Sequence, residues 1–338
     1  MLNIAEKESS TNKRGTRVAF TLSPFAVFLL LACSVAVQAQ EKPTVPLASA
    51  TESKSSPPRS VALPQQSNSV ADKFITVYGA KIHFVEAGNG PVVILLHGLG
   101  GDWKNWATTI GPLSMKYRVI APDQLGFGLS DKPFLNYRVG TLVDFLNQLY
   151  KELKIERASL VGGSLGGWTA AAFTLAHPEK VERLVLVDAA GFAALSENVD
   201  MRELNVLNPS TREGVREVSS RIFYNKQFFT SDEVVDRIFT DKVTANDSYT
   251  IQRFIESIAR GEDVLDKRLS AIKHPTLIIW GREDELIPLK YGERFKKEIS
   301  GSELFIIEKC GHVPPIESAA TFNAALLKFL GAANVPTK

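Results

Sequence analysis

The chain has 338 residues, of which 44% are hydrophobic and 22% are charged, which is the composition of an ordinary globular protein. Its formal net charge is only +2, so neither nucleic acid nor any other strongly charged partner is indicated. The two cysteines, Cys33 and Cys310, exclude a disulfide framework, and no Cys/His pair has a zinc-like spacing, so we expect no metal and no cofactor.

The first 39 residues predict an export signal or a membrane anchor. Three basic residues precede the apolar run "PFAVFLLLACSVAV", and "VQAQ" then offers small residues at Val37 and Ala39. This order is typical of a secretory signal cleaved after Ala39. Two alternatives remain open. Leu30–Cys33 resembles a bacterial lipobox with Cys33 as the lipidated residue, and an uncleaved apolar segment could instead span a membrane.

All three interpretations place the globular part outside the cytoplasm, in the periplasm or secreted, with a possible membrane tether. Residues 40–72 are rich in Ser, Pro, Thr and Gln and have no apolar periodicity. Such a segment buries too little apolar surface to offset the entropy of ordering it, so we predict a disordered linker.

From residue 73 the pattern predicts alternating strands and helices. "FITVYGAKIHFVEAG" alternates apolar and polar residues around Gly79, which favours a β-hairpin. Six continuously apolar segments follow, as expected of strands buried on both faces: "VVILLHG", "YRVIAPD", "ASLVGGS", "RLVLVDA", "TLIIWG" and "ELFIIEK". Helical stretches such as "VGTLVDFLNQLYKELK" lie between most of them. We predict an α/β fold with a doubly wound, mostly parallel sheet.

One long interval breaks this alternation. Residues 192–273 contain helix-like segments such as "SDEVVDRIFTDKV" and "SYTIQRFIESIARG" and no comparable buried strand. An insertion after the sixth strand lies over the crevice where open α/β sheets bind ligands. We therefore predict a helical cap at 192–273, inserted into a core formed by residues 73–191 and 274–338.

A candidate nucleophile lies between a predicted strand and a predicted helix. The segment "GGSLGG" fits G-x-S-x-G, with Ser164 at its centre and small residues at Gly162 and Gly166. A sharp turn of this kind holds the serine in strained backbone geometry, so its neighbours must be small. Glycine-rich turns also bind phosphates, but the spacing does not fit the dinucleotide pattern G-x-G-x-x-G.

A serine nucleophile needs a base and an acid that orients the base. For a serine on a strand-to-helix turn of this fold, the expected chain order is serine, acid, histidine. His312 in "EKCGHVPPIE" follows the last apolar segment, and Asp284 in "IIWGREDELIP" follows the one before, so both come to the same sheet edge. Asp188 is a rival acid that we expect instead to cap the segment after it. Glu283 and Glu285, on either side of Asp284, are expected to face solvent.

An oxyanion hole is predicted from two backbone N–H groups. "LLHGLGG" ends an early strand, and its His97-Gly98-Leu99 step resembles a loop that lends a backbone N–H to an oxyanion. The N–H groups of Leu99 and Leu165 would then stabilise the tetrahedral oxyanion. We expect His97 to brace this loop and Asp123 to stabilise its own.

Five segments occur in the order typical of one family: "HGLGG", "DQLGFGLSDKP", "GGSLGG", "GREDELIP" and "CGHVPP". From Phe74 to Leu330 the chain resembles an α/β-hydrolase fold serine hydrolase. The segment "GFGLSDKP" also occurs in dehalogenase and epoxide-hydrolase relatives, which have an aspartate nucleophile where this chain has Ser164. The resemblance therefore implies an acyl-enzyme on Ser164, with His312 as general base and Asp284 orienting it.

On this basis we predict an exported serine hydrolase that cleaves carboxylic esters, of small or medium size, without a cofactor. A first alternative is a carbon–carbon bond hydrolase acting on vinylogous diketones, the meta-cleavage product class, which "LVLVDAAGF" resembles. That group usually carries "HGxGPG" and a methionine after the serine, where this chain has "HGLGG" and Leu165. A second alternative is an inactive homologue that binds an apolar ligand, against which the intact set of Ser164, Asp284 and His312 argues.

Overall fold

The computed structural model describes residues 70–193 and 204–332. Its strands are β1 (Ala71–Val77), β2 (Ala80–Ala87), β3 (Val92–Leu96), β4 (Arg118–Pro122), β5 (Ala158–Gly163), β6 (Val181–Val187), β7 (Thr276–Gly281) and β8 (Glu303–Ile307). They form one sheet in the order β1-β2-β4-β3-β5-β6-β7-β8. β2 pairs antiparallel with β1 and β4, and all other pairs are parallel.

The hairpin predicted around Gly79 joins β1 to β2. Val77 pairs with Ala80, which leaves Tyr78 and Gly79 as the two turn residues. Both have left-handed backbone angles, with φ of 49° and 81°. Two consecutive positive φ values are what a tight hairpin turn requires, and glycine adopts them without strain.

The helices outside the long insertion are α1 (Ala107–Ser114), α2 (Val139–Glu152), α3 (Leu165–Ala176), α8 (Lys290–Glu298), α9 (Pro314–Glu317) and α10 (Ala319–Leu330). Side chains alternate between the two faces of the central strands. On β3, Ile94 and Leu96 face the layer formed by α2, α3 and α8, while Val93 and Leu95 face α1 and α10. The sheet is therefore covered on both faces, as its continuous apolar strands predict.

Between β6 and β7, the described residues 188–193 and 204–275 contain no strand. They hold the helices α4 (Arg212–Ile222), α5 (Lys226–Phe229), α6 (Asp232–Ala245) and α7 (Ser248–Ala259). The predicted fold class is confirmed, with a helical insertion after the sixth strand. β1 begins at Ala71, so the last two residues of the predicted linker lie in a strand.

The predicted export signal or anchor at 1–39 and most of the linker at 40–72 lie outside the described residues. Among the residues that the structure does describe, no helix combines the length and apolar character needed to cross a membrane. The export signal remains a prediction.

A buried charge cluster ties β1 and β2 to the loop after β4. His83 on β2 is fully buried, and its Nδ1 lies 2.8 Å from Asp123 Oδ2 while its Nε2 lies 3.2 Å from Asp72 Oδ1. A carboxylate at each ring nitrogen favours the doubly protonated imidazolium. Burial opposes that charge, but Asp123 and Asp72 more than offset it and raise the pKa of His83 above its usual value.

We expect this cluster to make stability depend on pH. Because the folded pKa of His83 is raised, its contribution is complete below the unfolded value of about 6.5 and is lost as pH rises through the folded value. The difference in free energy of unfolding between wild type and His83→Gln should therefore be larger at pH 6 than at pH 9. Urea unfolding at both values measures it, and an equal difference at both would contradict a charged His83.

Candidate active site

Ser164 lies at a sharp turn between β5 and α3. Its backbone angles are φ 52° and ψ −116°, which a non-glycine residue rarely adopts. The surrounding backbone holds this conformation. The Ser164 N–H donates to the Val187 carbonyl at 2.9 Å, and the Ser164 carbonyl accepts from Trp168 and Ala190, each at 3.1 Å. The half-buried side chain is thus fixed at the carboxyl edge of the sheet.

The glycines around Ser164 are required by close backbone approach. A Cβ on Gly162 would lie 2.2 Å from the Gly166 carbonyl oxygen, and a Cβ on Gly166 would lie 2.1 Å from the Leu96 carbonyl oxygen. Neither distance is possible without moving main chain. The small residues of G-x-S-x-G therefore allow α3 to begin directly against β3.

The loop after β3 lies against the serine. A Cβ on Gly98 would lie 3.2 Å from Ser164 Cβ and 3.8 Å from its Oγ. The next residue, Leu99, and Leu165 at the first position of α3 have no protein acceptor for their N–H groups among the described residues. Two unpaired N–H donors on the segments adjoining the serine are what an oxyanion hole needs.

His97 braces this loop, as expected. Its Nδ1 lies 2.7 Å from the Gly98 carbonyl oxygen, and its Nε2 accepts the Gln124 N–H at 3.0 Å. This pairing assigns the proton to Nδ1, which makes His97 a neutral structural group. Asp123 likewise stabilises its own loop, because it accepts the N–H of Leu129 at 2.8 Å.

We expect Gly98→Ala to impair turnover more than folding. The added methyl would press on Ser164 Cβ at 3.2 Å and displace the nucleophile or the loop by a few tenths of an ångström. Misplacement on this scale should lower kcat by roughly 10- to 100-fold. Steady-state kinetics beside a thermal melt measure both effects, and wild-type kcat in this variant would show that the loop tolerates the methyl.

Asp284 and His312 are brought together after β7 and β8. His312 Nδ1 lies 2.7 Å from Asp284 Oδ2, and both side chains are buried. Asp284 Oδ1 accepts the N–H groups of Leu286 and Ile287 at 2.8 and 2.9 Å, so its carboxylate is oriented from both sides. In this pair His312 donates its Nδ1 proton to Asp284, which leaves Nε2 available as a base.

Ser164 is not hydrogen-bonded to His312 in this structure. The Nε2 atom of His312 has no partner among the described residues. In enzymes of this type the bond between nucleophile and base often tightens only in the substrate complex. The structure therefore shows the hydrogen bond between Asp284 and His312. A hydrogen bond between His312 and Ser164 stays a prediction.

Glu283 does not face solvent, so that prediction is wrong. Its carboxylate accepts the Cys310 N–H at 3.0 Å, and its own N–H donates to the Cys310 carbonyl at 3.0 Å. These two bonds tie the loop that carries Asp284 to the loop that carries His312. A charged residue beside the candidate acid gives no sequence signal that separates this role from a solvated one.

The helical insertion contacts the histidine loop through Glu317, which sequence reasoning missed. The His312 N–H donates to the Ile222 carbonyl at 2.7 Å. Glu317 on α9 accepts the Tyr224 N–H at 2.7 Å and the Gly311 N–H at 3.0 Å. One carboxylate thus joins the end of α4 to the loop of the candidate base.

Asp188 does not cap the segment that follows it, contrary to expectation. Its Oδ1 accepts the Gly281 N–H at 2.9 Å, across the sheet at the end of β7. Asp188, Asp284 and His312 lie together, with one oxygen or nitrogen atom of each within 4.8 Å of the others.

Comparison with known proteins gives relatives whose own sequences are matched over almost their whole length. The chain is 32% identical to a 2-hydroxymuconate semialdehyde hydrolase of Pseudomonas sp. strain CF600, over 80% of this chain and 97% of the relative. It is 30% identical to a 2-hydroxy-6-oxo-6-phenylhexa-2,4-dienoate hydrolase of Burkholderia cepacia, over 78% and 98% respectively. The meta-cleavage product hydrolase CumD of Pseudomonas fluorescens IP01 superposes with a TM-score of 0.69 at 32% identity, covering 78% of this chain and 98% of CumD.

The predicted hydrolysis of carboxylic esters is wrong. These relatives are named for carbon–carbon bond hydrolases of the meta-cleavage product class, which favours the first alternative. The error has a chemical reason. Attack on an ester and attack on a ketone both form a tetrahedral oxyanion. Enzymes for the two reactions therefore share the motifs that supply the serine, the base and the oxyanion hole.

The sequence profile of the alpha/beta hydrolase fold matches residues 91–319, more than half of the chain. This range includes the loop after β3, the turn at Ser164 and the loops of Asp284 and His312. The resemblance inferred from five short segments is confirmed over residues 91–319. The chain therefore belongs to the alpha/beta hydrolase fold family of hydrolases.

Proposed function

We propose that this chain hydrolyses the carbon–carbon bond beside the 6-oxo group of a 2-hydroxy-6-oxo-2,4-dienoate. The observation that carries the proposal is that relatives at 30–32% identity, matched over 97–98% of their lengths, are named for this reaction. Ser164, His312 and Asp284 form the reacting set, and the N–H groups of Leu99 and Leu165 bind the oxyanion.

The reaction balances with water as the only co-substrate. A proton moves from the 2-hydroxyl to C5, which converts the dienol into a 2-ketone conjugated with the remaining double bond. Attack on C6 gives a tetrahedral oxyanion, and its collapse breaks the C5–C6 bond. The electron pair passes into the conjugated ketone, and its oxygen takes the proton of the water to restore a 2-hydroxydienoate. C6 takes the hydroxyl of the same water and leaves as a carboxylic acid.

The residues meet the two demands of this chemistry. His312 Nε2 takes a proton from Ser164 or from water, and Asp284 stabilises the imidazolium that results. The oxyanion at C6 needs N–H donors that are already in place before the attack. Leu99 and Leu165 supply them from backbone that Ser164 and the glycines around it hold rigid.

Two of the departures from the pattern of this class, at Leu165 and Gly101, leave those donors intact. Leu165 stands where a methionine is usual, but its part in the site is its backbone N–H, which any residue except proline provides. Gly101 stands where a proline is usual, and its N–H donates to the Gly98 carbonyl at 3.2 Å. Proline could not form this bond, so the loop is closed here by a hydrogen bond instead of by a fixed ring.

The test is direct turnover by the full chain. Purified protein is mixed with 2-hydroxy-6-oxo-6-phenylhexa-2,4-dienoate, loss of dienolate absorbance is followed, and the products are separated. We expect saturable formation of benzoate and a 2-hydroxypentadienoate in equal amounts, and none with Ser164→Ala. A series of p-nitrophenyl esters is run beside it, and ester turnover without any carbon–carbon cleavage would overturn the proposal.

A further inference from the structure

Asp188 is a fully buried acid that the proposed reaction does not use. It follows the last residue of β6 and has a left-handed φ of 43°, unusual for any residue but glycine. Its N–H donates to the Ile279 carbonyl at 3.1 Å, and its Oδ1 accepts the Gly281 N–H at 2.9 Å. Backbone on the neighbouring strand therefore fixes where its side chain lies.

The second oxygen of Asp188 has no donor. Its Oδ2 is buried and receives no N–H or O–H from any described residue. The neighbouring carboxyl is Asp284, since one oxygen or nitrogen atom from each of Asp188, Asp284 and His312 lies within 4.8 Å of the others. A buried carboxylate oxygen without a donor is costly, whereas a carboxylic acid would itself be the donor.

The surroundings decide which of the two acids holds the proton. Asp284 accepts three donors, from Leu286, Ile287 and His312, so its charge is stabilised. Among the described residues, Asp188 accepts only the Gly281 N–H. Two carboxyls this close in a buried site do not both ionise.

The remaining titratable groups around Asp188 agree with this assignment. Burial, the charge of Asp284 and a hydrogen bond with it raise the pKa of Asp188 well above its usual range, against the effect of the Gly281 N–H. Glu317 adds a repulsive charge, and burial raises the pKa of the Cys310 thiol, which keeps that thiol neutral. His312 is hydrogen-bonded to Asp284 through its Nδ1.

We propose that Asp188 is a positioning residue that stays protonated and donates its hydroxyl to Asp284, so that the two acids present a single negative charge to His312. This inference rests on the triad roles of the proposed function but not on its substrate. It assigns Asp188 two effects: it holds the Asp284 carboxylate in place, and it limits how strongly that carboxylate raises the basicity of His312.

The experiment measures the rate at which a fluorophosphonate probe labels Ser164 between pH 5 and 9. Asp188→Asn keeps an acceptor for the Gly281 N–H and a neutral N–H donor for Asp284, so it mimics the protonated acid. Asp188→Ala removes both groups. We expect the asparagine variant to label within about twofold of wild type, with the same acidic midpoint. The alanine variant should label at least 10-fold more slowly, with the midpoint at higher pH because Asp284 then faces His312 unneutralised.

The asparagine variant decides the matter by itself if the alanine variant does not fold. An acidic midpoint about one pH unit or more below wild type in Asp188→Asn would show that Asp188 is ionised, since a charge so near His312 acts strongly when buried. A wild-type profile in a folded Asp188→Ala would also overturn the proposal. Labelling of wild type without dienoate turnover would refute only the proposed substrate, whereas no labelling at all would refute the triad and this proposal together.

Discussion

Ser164→Ala and His312→Ala should each lower kcat for dienoate hydrolysis by about 10⁴-fold, and the double variant by little more. A nucleophile and its base act as one unit, so removing either disables the same step. Hydrogen bonding at the oxyanion hole and substrate binding remain, so KM should change by much less than kcat. Steady-state kinetics on the three variants measure this non-additivity.

A histidine outside the site provides the control. His177 lies at the far end of α3 and contacts Phe173, with ring centroids 5.0 Å apart. His177→Gln should leave kcat within about twofold of wild type, because it touches no group of the site. If Ser164→Ala retained more than about a tenth of wild-type kcat, then Ser164 would not be the nucleophile and water activated by His312 would have to attack instead.

Gly166→Ala should unfold the turn that carries Ser164. The new Cβ would lie 2.1 Å from the Leu96 carbonyl oxygen and 2.6 Å from the His97 carbonyl oxygen, and both are backbone atoms that cannot turn aside. Forcing α3 away from β3 should lower the free energy of unfolding by about 3 kcal/mol or more. We expect poor expression, an early urea midpoint and no measurable turnover.

A substitution at a second helical glycine serves as the control for this loss of stability. Gly111 lies inside α1, and a Cβ placed there meets nothing within 4 Å. Gly111→Ala should therefore change the free energy of unfolding by no more than about 1 kcal/mol, because the smaller backbone freedom of alanine stabilises the fold while the ring of the following Pro112 crowds the new Cβ. Equal urea midpoints for the two alanine variants would mean that β3 and α3 do not approach as closely as the structure has them.

The fold could be predicted from the sequence because local and long-range requirements agree. The apolar runs of β3 to β8 are short and continuous, and the helical periodicity of α2 and α8 is distinct, so each element was predictable from its own residues. The hairpin at Gly79 and the turn at Ser164 both depend on glycine where the backbone requires it. What the pattern does not contain is the exact end of a segment, as the start of β1 at Ala71 shows.

The site was predictable in part, for a physical reason. Ser164, Asp284 and His312 stand at strand ends, where a parallel sheet collects side chains at one edge. Glu283, Glu317 and Asp188 gain their roles from contacts with segments far away in the chain, and no local pattern marks a carboxyl that is paired by a distant backbone N–H. The bond that is broken was equally hidden, because the motifs describe how a carbonyl is attacked and not which atom leaves it.

The bonds from residues 222–224 to the histidine loop bear on how this family can acquire new substrates. The insertion supplies the carbonyl of Ile222 to the N–H of His312 and the N–H of Tyr224 to Glu317. A recombined enzyme that receives a foreign cap would inherit a different pocket and would also lose these supports for its base. Graft boundaries placed outside Ile222–Tyr224 would preserve them, which makes this short stretch part of the catalytic core although it lies within the variable segment of the chain.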